Sequence, residues 1–315
     1  MEIFSAPIQG YTCSVYRALH SACFDGVSQY YTPFFRLENN ALRNKDFNEI
    51  ALCKQFPLKS SSLTVAQIIG SEPQEIQSLI EILKTDFNRI DLNFGCPYPM
   101  QTSKKHGAGI LAYPEKVEKI LEVIARYPQL EFSVKMRAGF HSYEDCLNLV
   151  PLLNAAKLSH ITFHPRLADD VYSGVVNTDI FEKFLAQSSH PLVYNGDIFD
   201  IQSLRQIAEQ QYPNLKAIML GLGLLQNPML AEMFISCKEI SEEEKLTRLN
   251  KFHALLSETF LSLYSDDEKK VLKRMKTVWD YFMTDYDNKF KKKFLKASAL
   301  GQYLALTAAF FNDFK

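Results

Sequence analysis

Arg89-Ile90-Asp91-Leu92-Asn93-Phe94-Gly95-Cys96-Pro97 reads as a strand that stops at a thiol. Ile90 and Leu92 alternate with polar neighbours, the period of a strand, and Gly95 and Pro97 end it. Cys96 therefore sits at the strand's C-terminal end or just beyond. In a parallel α/β barrel that end is where active sites are built. The alternative is a buried structural cysteine, since free cysteine is among the most buried residue types.

Seven further short apolar runs share this character, at 3–7, 28–35, 63–70, 132–137, 160–164, 191–195 and 217–221. Helical spacing fills the intervals: Pro73 leads into Ile76, Leu79, Ile80 and Leu83, and Pro114 into Val117, Ile120, Leu121 and Ile124. Ser142 likewise leads into Cys146, Leu149 and Leu153. Eight βα units over residues 1–237 predict a (β/α)8 TIM barrel, with an open doubly wound sheet as the competitor. Beyond Cys237 strand signals stop, and 242–264, 267–283 and 288–311 read as helices of a second domain, 238–315.

Composition narrows the functional classes. With 47% hydrophobic and 23% charged residues in 315, the chain is an ordinary globular protein. No apolar run is long enough for a membrane span, and Met1-Glu2-Ile3-Phe4 has no signal-peptide pattern, so a soluble cytoplasmic protein with no membrane partner is expected. A monomer is expected, though no sequence feature fixes the oligomeric state. The six cysteines form no C-x-x-C pair, which argues against a metal site and suits a reducing compartment. The net charge of -1 leaves nucleic-acid binding to a local patch. Residues 269–296 supply one: Lys269, Lys270, Lys273, Arg274, Lys276, Lys289, Lys291, Lys292, Lys293 and Lys296 against Asp280, Asp285 and Asp287.

Polar residues recur where a barrel would present them: Gln67, Asn93 with Cys96, Lys135 with Arg137, His164 with Arg166, and Asn195 with Asp197. Gly221-Leu222-Gly223 before Asn227-Pro228 is a glycine-flanked turn opening a helix, near where barrels bind phosphate. Lys135 lies between Val134 and Met136, so it points to the face opposite theirs. With His164 it could hold the electron-rich end of a flavin, or both could cap backbone carbonyls at the rim. No G-x-G-x-x-G follows the first strand, which disfavours a Rossmann site.

These residues carry a resemblance that runs nearly end to end. Its motifs are Ala6-Pro7-Ile8-Gln9-Gly10 with Thr12 and Arg17, Gln67-Ile68-Ile69-Gly70, Asn93-Phe94-Gly95-Cys96-Pro97 with Gly107-Ala108-Gly109 and Leu111, and Val134-Lys135-Met136-Arg137. His164 with Arg166 and Tyr172-Ser173-Gly174, Asn195-Gly196-Asp197-Ile198, and Gly221 with Gly223, Asn227 and Pro228 complete it. The chain resembles the tRNA-dihydrouridine synthases, flavin enzymes with a barrel and a C-terminal helical domain. The resemblance implies FMN held by Pro7, Ile8, Gln9, Gln67, Lys135, His164, Asn195, Gly196, Asp197, Gly221 and the Leu222 position, with NADPH as electron donor. It implies Cys96 as general acid, and Arg36, Asn93, Arg137 and Arg166 gripping an extruded uracil and its phosphates. The helix over 270–281, with Lys270, Lys273, Arg274 and Trp279, resembles the family's tRNA-contacting helix, and the layout resembles enzymes acting on the D-loop.

Two departures stand out. Leu222 replaces the family's usual arginine, which reaches the flavin phosphate. Backbone donors at Gly221 and Gly223, or another cation, would have to replace a charge-assisted contact worth about 1.5–3 kcal/mol. His164-Pro165-Arg166-Leu167 replaces the usual His-Gly-Arg-Thr. The competing readings are an FMN barrel oxidoreductase for a small molecule, of the dihydroorotate dehydrogenase kind, and a non-catalytic RNA-binding relative. The basic helical tail argues against the first; Cys96, Lys135 and His164 together argue against the second.

Overall fold

The computed structural model describes residues 1–171, 173–284 and 288–312; Tyr172 of the family motif and Asp285 and Asp287 of the charged tail lie outside them. Eight parallel strands close on themselves: β1 (Glu2–Ser5), β2 (Val27–Tyr31), β3 (Leu63–Ile68), β4 (Arg89–Phe94), β5 (Glu131–Gly139), β6 (Ile161–Leu167), β7 (Leu192–Asn195) and β8 (Leu215–Leu220). β1 pairs with both β2 and β8, which completes the circle and excludes the open sheet. All eight runs read from the sequence are strands.

The alternation in β4 decides which side chains go where. Ile90, Leu92 and Phe94 join the apolar layer shared with Leu79 and Ile80 of the helix Pro73–Leu83 and with Val117 and Ile120 of the helix Pro114–Ile124. Asp91 and Asn93 point the other way, into the barrel. Proline opens both helices where its missing N–H costs nothing, and Asp200 and Ser203 form a capping box on Ile201–Glu209. Phe4, Tyr31, Val65, Val193 and Ala217 pack the barrel's interior, with the Tyr31 hydroxyl 2.7 Å from His160 Nε2. The barrel interior is a packed core, and the C-terminal ends of its strands open into a cavity.

Two local features differ from the sequence reading. Leu37–Glu38 and Ala41–Leu42 form an antiparallel pair around Asn39 and Asn40, both at positive φ (52° and 62°). Such a two-residue turn favours asparagine, so Asn39-Asn40 was a usable signal. In the tail, 288–311 is two helices, Asn288–Lys296 and Leu300–Asn312, and the helix begun near 267 ends at Val278. The interruption after Lys296 folds the last helix back, bringing the Phe294 and Phe310 rings to 5.5 Å.

The tail shares its apolar core with the barrel's first helix, Ser14–Cys23. Val15, Tyr16 and Phe24 pack with Leu249, Phe252 and Leu256 of Glu242–Leu263. Trp279, read as part of an RNA-contacting helix, is instead 2% exposed and donates to the Tyr303 hydroxyl (2.6 Å). Indole burial wins over surface display because the only polar atom of the ring finds an acceptor inside. Among the described residues no helix is long and apolar enough to cross a membrane.

Candidate active site

The loops at the C-terminal ends of the strands enclose a cavity of about 680 Å3. Cys96 lies on its wall, held from three sides. Its N–H donates to Asn93 Oδ1 (2.9 Å), and its carbonyl accepts from the Ala108 N–H (3.0 Å). Gly107, at φ +58°, passes so close that a β-carbon there would lie 2.8 Å from Cys96 Cβ and 2.6 Å from its carbonyl oxygen. Gly95 and Pro97 flank a residue whose backbone is pinned. Burial raises the thiol's pKa, so the sulfur keeps its proton at neutral pH.

Across the cavity Lys135 Nζ donates to Asn195 Oδ1 (2.9 Å), and Asn195 Nδ2 donates to the Met219 carbonyl (2.9 Å). Asn195 thus fixes the lysine from both ends of its amide. Burial, reinforced by nearby Arg137, brings the Lys135 pKa down to about 8. Burial with Arg137, Lys135 and Arg166 nearby holds His164 well below its ordinary value, so its ring is neutral. His164 Nε2 is buried with no hydrogen-bond partner among the described residues. Such an orphaned polar atom beside a cavity is a contact point for a ligand. Gly196, at φ +137°, leaves the space beside this ring that a β-carbon would fill, 2.9 Å from His164 Cδ2.

Most residues singled out in the sequence line this one cavity: Pro7, Ile8, Gln9, Arg36, Asn93, Cys96, Lys135, Arg137, His164, Arg166, Asn195, Gly196, Asp197, Gly221 and Leu222. Gln67 does not. It is fully buried beneath the floor, donating to Asp91 Oδ2 (2.7 Å) and accepting from Asn93 Nδ2 (2.7 Å). Asn93 faces the cavity, but its carbonyl is already taken by the Gly95 and Cys96 N–H groups. Arg166 is also committed: both terminal nitrogens donate to Asp197 (2.6 Å each) and Nε donates to the Gly174 carbonyl (2.7 Å). Arg137 donates to the Leu167 carbonyl (2.7 Å) and to that of Val171. Both arginines therefore fix the loop after β6 as well as charge the cavity wall.

The tail cations read as one surface are separated. Lys273 shares a shallow groove with Lys269, Lys276 and Leu295. Lys270 instead places Nζ 3.8 Å over the Tyr264 ring, and Arg274 turns into a crevice against Tyr11 and Cys13 of the barrel. The helix Glu268–Val278 puts 269, 273 and 276 on one face and 270 and 274 on another.

Several cavity residues were not read from the sequence. Tyr281 reaches it from the tail and packs edge-on to Tyr11 at 4.9 Å, while the Tyr11 hydroxyl donates to Asp280 Oδ2 (3.0 Å). No local pattern announces a contact between positions so far apart. Arg43 and Lys45 arrive through the Asn39-Asn40 turn. Tyr98, Met100 and Phe199 form an exposed apolar rim, Met100 being 68% exposed.

Solved structures with this architecture include morphinone reductase, at a TM-score of 0.55 and 10% identity over 78% of this chain and 88% of that one. At that identity the likeness concerns the fold alone. Sequence relatives are more specific. The tRNA-dihydrouridine synthase B of Klebsiella pneumoniae is 20% identical over 318 aligned positions, 99% of this chain and 97% of that protein. That of Pasteurella multocida is 27% identical over 183, but this alignment spans only about half of each chain, 58% and 54%. The tRNA-dihydrouridine(16) synthase of Vibrio parahaemolyticus is 26% identical over 64% of each chain. The dihydrouridine synthase (Dus) family matches from residue 4 to residue 314, through every strand of the barrel and the helices of the tail. A match of that extent, with the thiol, the lysine and the histidine converging on one cavity, shows that this chain belongs to the dihydrouridine synthase family.

Proposed function

We propose that this chain reduces a uridine of tRNA, in the D-loop, to 5,6-dihydrouridine, with FMN as cofactor and NADPH as the source of electrons. The observation that carries the reading is a single cavity in which a protonated, pinned thiol faces a cation and a histidine whose Nε2 has no partner among the described residues.

The residues present fit a flavin. The cavity volume lies within the range of small-molecule sites, and Ala6, Ile8 and Met219 give it an apolar wall beside the polar groups. Lys135 and the neutral His164 would meet the electron-rich edge of the ring, with Asn195 acting through Lys135. The Gly196–Asp197 and Gly221–Leu222 turns would lie toward the phosphate. Bound FMN supplies the hydride for one carbon of the uracil. Cys96 gives its proton to the neighbouring carbon, so that the double bond gains one hydride and one proton and the charges balance. A raised thiol pKa suits a donor, because a thiolate has nothing to give. The apolar rim of Tyr98, Met100 and Phe199 would replace stacking that the extruded base loses, and Arg36 and Lys45 would meet phosphates, while Arg43 is held by Asp46 (2.7 and 2.8 Å).

The purified protein is expected to be yellow and to release FMN on denaturation. Its rate of uridine reduction should fall as pH rises through about 8, because Lys135 is charged below that value and neutral above it. Lys135→Arg, which stays charged, should move the fall to higher pH. A colourless protein that cannot be reconstituted with FMN would favour the RNA-binding reading instead.

Residues 238–315 are proposed as the tRNA-binding domain of a monomeric cytoplasmic enzyme, with Lys269, Lys273 and Lys276 as the phosphate track. Reversing the charge of Lys273 and Lys276 is expected to weaken tRNA binding and to flatten its salt dependence, by about 0.7–0.9 in log–log slope per lost phosphate contact. FMN content should not change. Unaltered binding would remove the role assigned to this face.

A further inference from the structure

Four buried polar side chains, three beneath the cavity and Asn93 on its wall, are joined end to end. Asp91 Oδ1 accepts from Ser133 Oγ (2.6 Å), and Oδ2 accepts from Gln67 Nε2 (2.7 Å). Gln67 Oε1 accepts from Asn93 Nδ2 (2.7 Å). Asn93 Oδ1 accepts from the backbone N–H groups of Gly95 (3.1 Å) and Cys96 (2.9 Å). Strand register builds the row: Gln67 lies beside Asp91 across β3 and β4, and Asp91 beside Ser133 across β4 and β5. Gln67 and Asp91 are wholly shielded from solvent, and Ser133 and Asn93 nearly so.

Chemistry fixes the direction of this relay. An ionised carboxylate only accepts, and a peptide N–H only donates. With an acceptor at one end and donors at the other, each amide between them has one orientation in which every bond is made. Turning over Gln67 alone, or Asn93 alone, sets oxygen against oxygen or donor against donor. We infer that Asp91 and Gln67 are positioning residues which, acting through Asn93, hold the Cys96 backbone where its thiol serves the cavity. This rests on the reading of Cys96 as proton donor given above. Burying a carboxylate is costly, and an apolar side chain at position 91 would fill the barrel interior without that cost. What the carboxylate contributes is the polarity of the relay.

The test contrasts a cut with a reversal. Gln67→Leu removes both amide bonds and frees Asn93. Iodoacetamide alkylation of Cys96, followed by peptide mass mapping with exposed Cys237 as internal reference, should then speed up by roughly fivefold or more as the loop opens. With saturating tRNA, kcat should fall about tenfold or more while KM for tRNA stays put, since the defect is one of placement. The double variant D91N/N93D carries the relay backwards. The new amide at position 91 would donate to Gln67, and Gln67 would donate to the new carboxylate at position 93. That carboxylate would still accept from the Gly95 and Cys96 N–H groups. Alkylation of Cys96 in the double variant should stay within about twofold of the native rate, although two buried residues have changed. Should Gln67→Leu fail to fold because it strands a carboxylate, D91N/Q67L keeps the cut without the charge, and the same acceleration is expected. Native alkylation rates in the folded cut variant, or a reversed variant as loose as the cut one, would overturn the inference. Because alkylation is read without turnover, it stands apart from the role of Cys96 itself. If Cys96→Ala kept full activity, the reading of Cys96 as donor would fail while the alkylation result still reported on the relay.

Discussion

Cys96→Ala is expected to leave the protein yellow and able to bind tRNA while dihydrouridine formation falls by about 10²–10⁴-fold, the usual contribution of a positioned general acid. The loss follows from how few groups near the sulfur can give a proton. Among its neighbours His164 is neutral and Arg137 keeps its protons at any working pH, which leaves Lys135, held to Asn195, to account for the residual rate. Flavin retention is expected because Cys96 is a wall residue, held to Asn93 and Ala108 and to none of Lys135, Asn195 or His164. Single-turnover reduction of the flavin by NADPH should therefore be unchanged, and only the reoxidation by tRNA should slow. Equal slowing of both half-reactions would place Cys96 at the cofactor and remove it as proton donor.

Gly107→Ala is expected to cost about 10²-fold in kcat although Gly107 touches no part of the cavity. Its left-handed backbone disfavours a β-carbon, and that carbon would sit 2.6 Å from the Cys96 carbonyl oxygen. Neither neighbour can give way cheaply, because the Cys96 carbonyl is bonded to the Ala108 N–H and its own N–H to Asn93. The thiol must move, and a displacement of about 1 Å is enough for a loss of this size. The affinity for FMN should be unchanged. A Gly107→Ala enzyme with native kcat would show that the Cys96 loop tolerates displacement, contrary to its pinned geometry.

The barrel was legible because its strands carry their own punctuation. In β4 the alternation of Ile90, Asp91, Leu92 and Asn93 states both the period and which residues face inward, and Gly95 with Pro97 marks the end. Side chains at strand ends could be read for the same reason, which is why Lys135, His164 and Asn195 meet. What the sequence did not show were contacts set by side-chain competition across the fold. Gln67 stands at a strand end like its neighbours, but Asp91 beside it in the register draws its amide down and away from the cavity. Lys270 and Lys273 lie close in sequence, and only the helix phase and the Tyr264 ring separate them. Trp279 was placed on an RNA-contacting helix by resemblance, yet it donates to the Tyr303 hydroxyl across a fold that no local pattern describes.

Leu222 lies on the cavity wall between Gly221 and Gly223, with no cationic side chain of its own to offer a phosphate. Arg166, on the same wall, is held by Asp197.

The most direct test of the proposed chemistry is to incubate the FMN-loaded protein with NADPH and unmodified tRNA and to map dihydrouridine along the product. Conversion at one D-loop uridine by the native chain, and none by Cys96→Ala, is the predicted result. A flavin-loaded native protein that consumes NADPH yet leaves every uridine intact would contradict it.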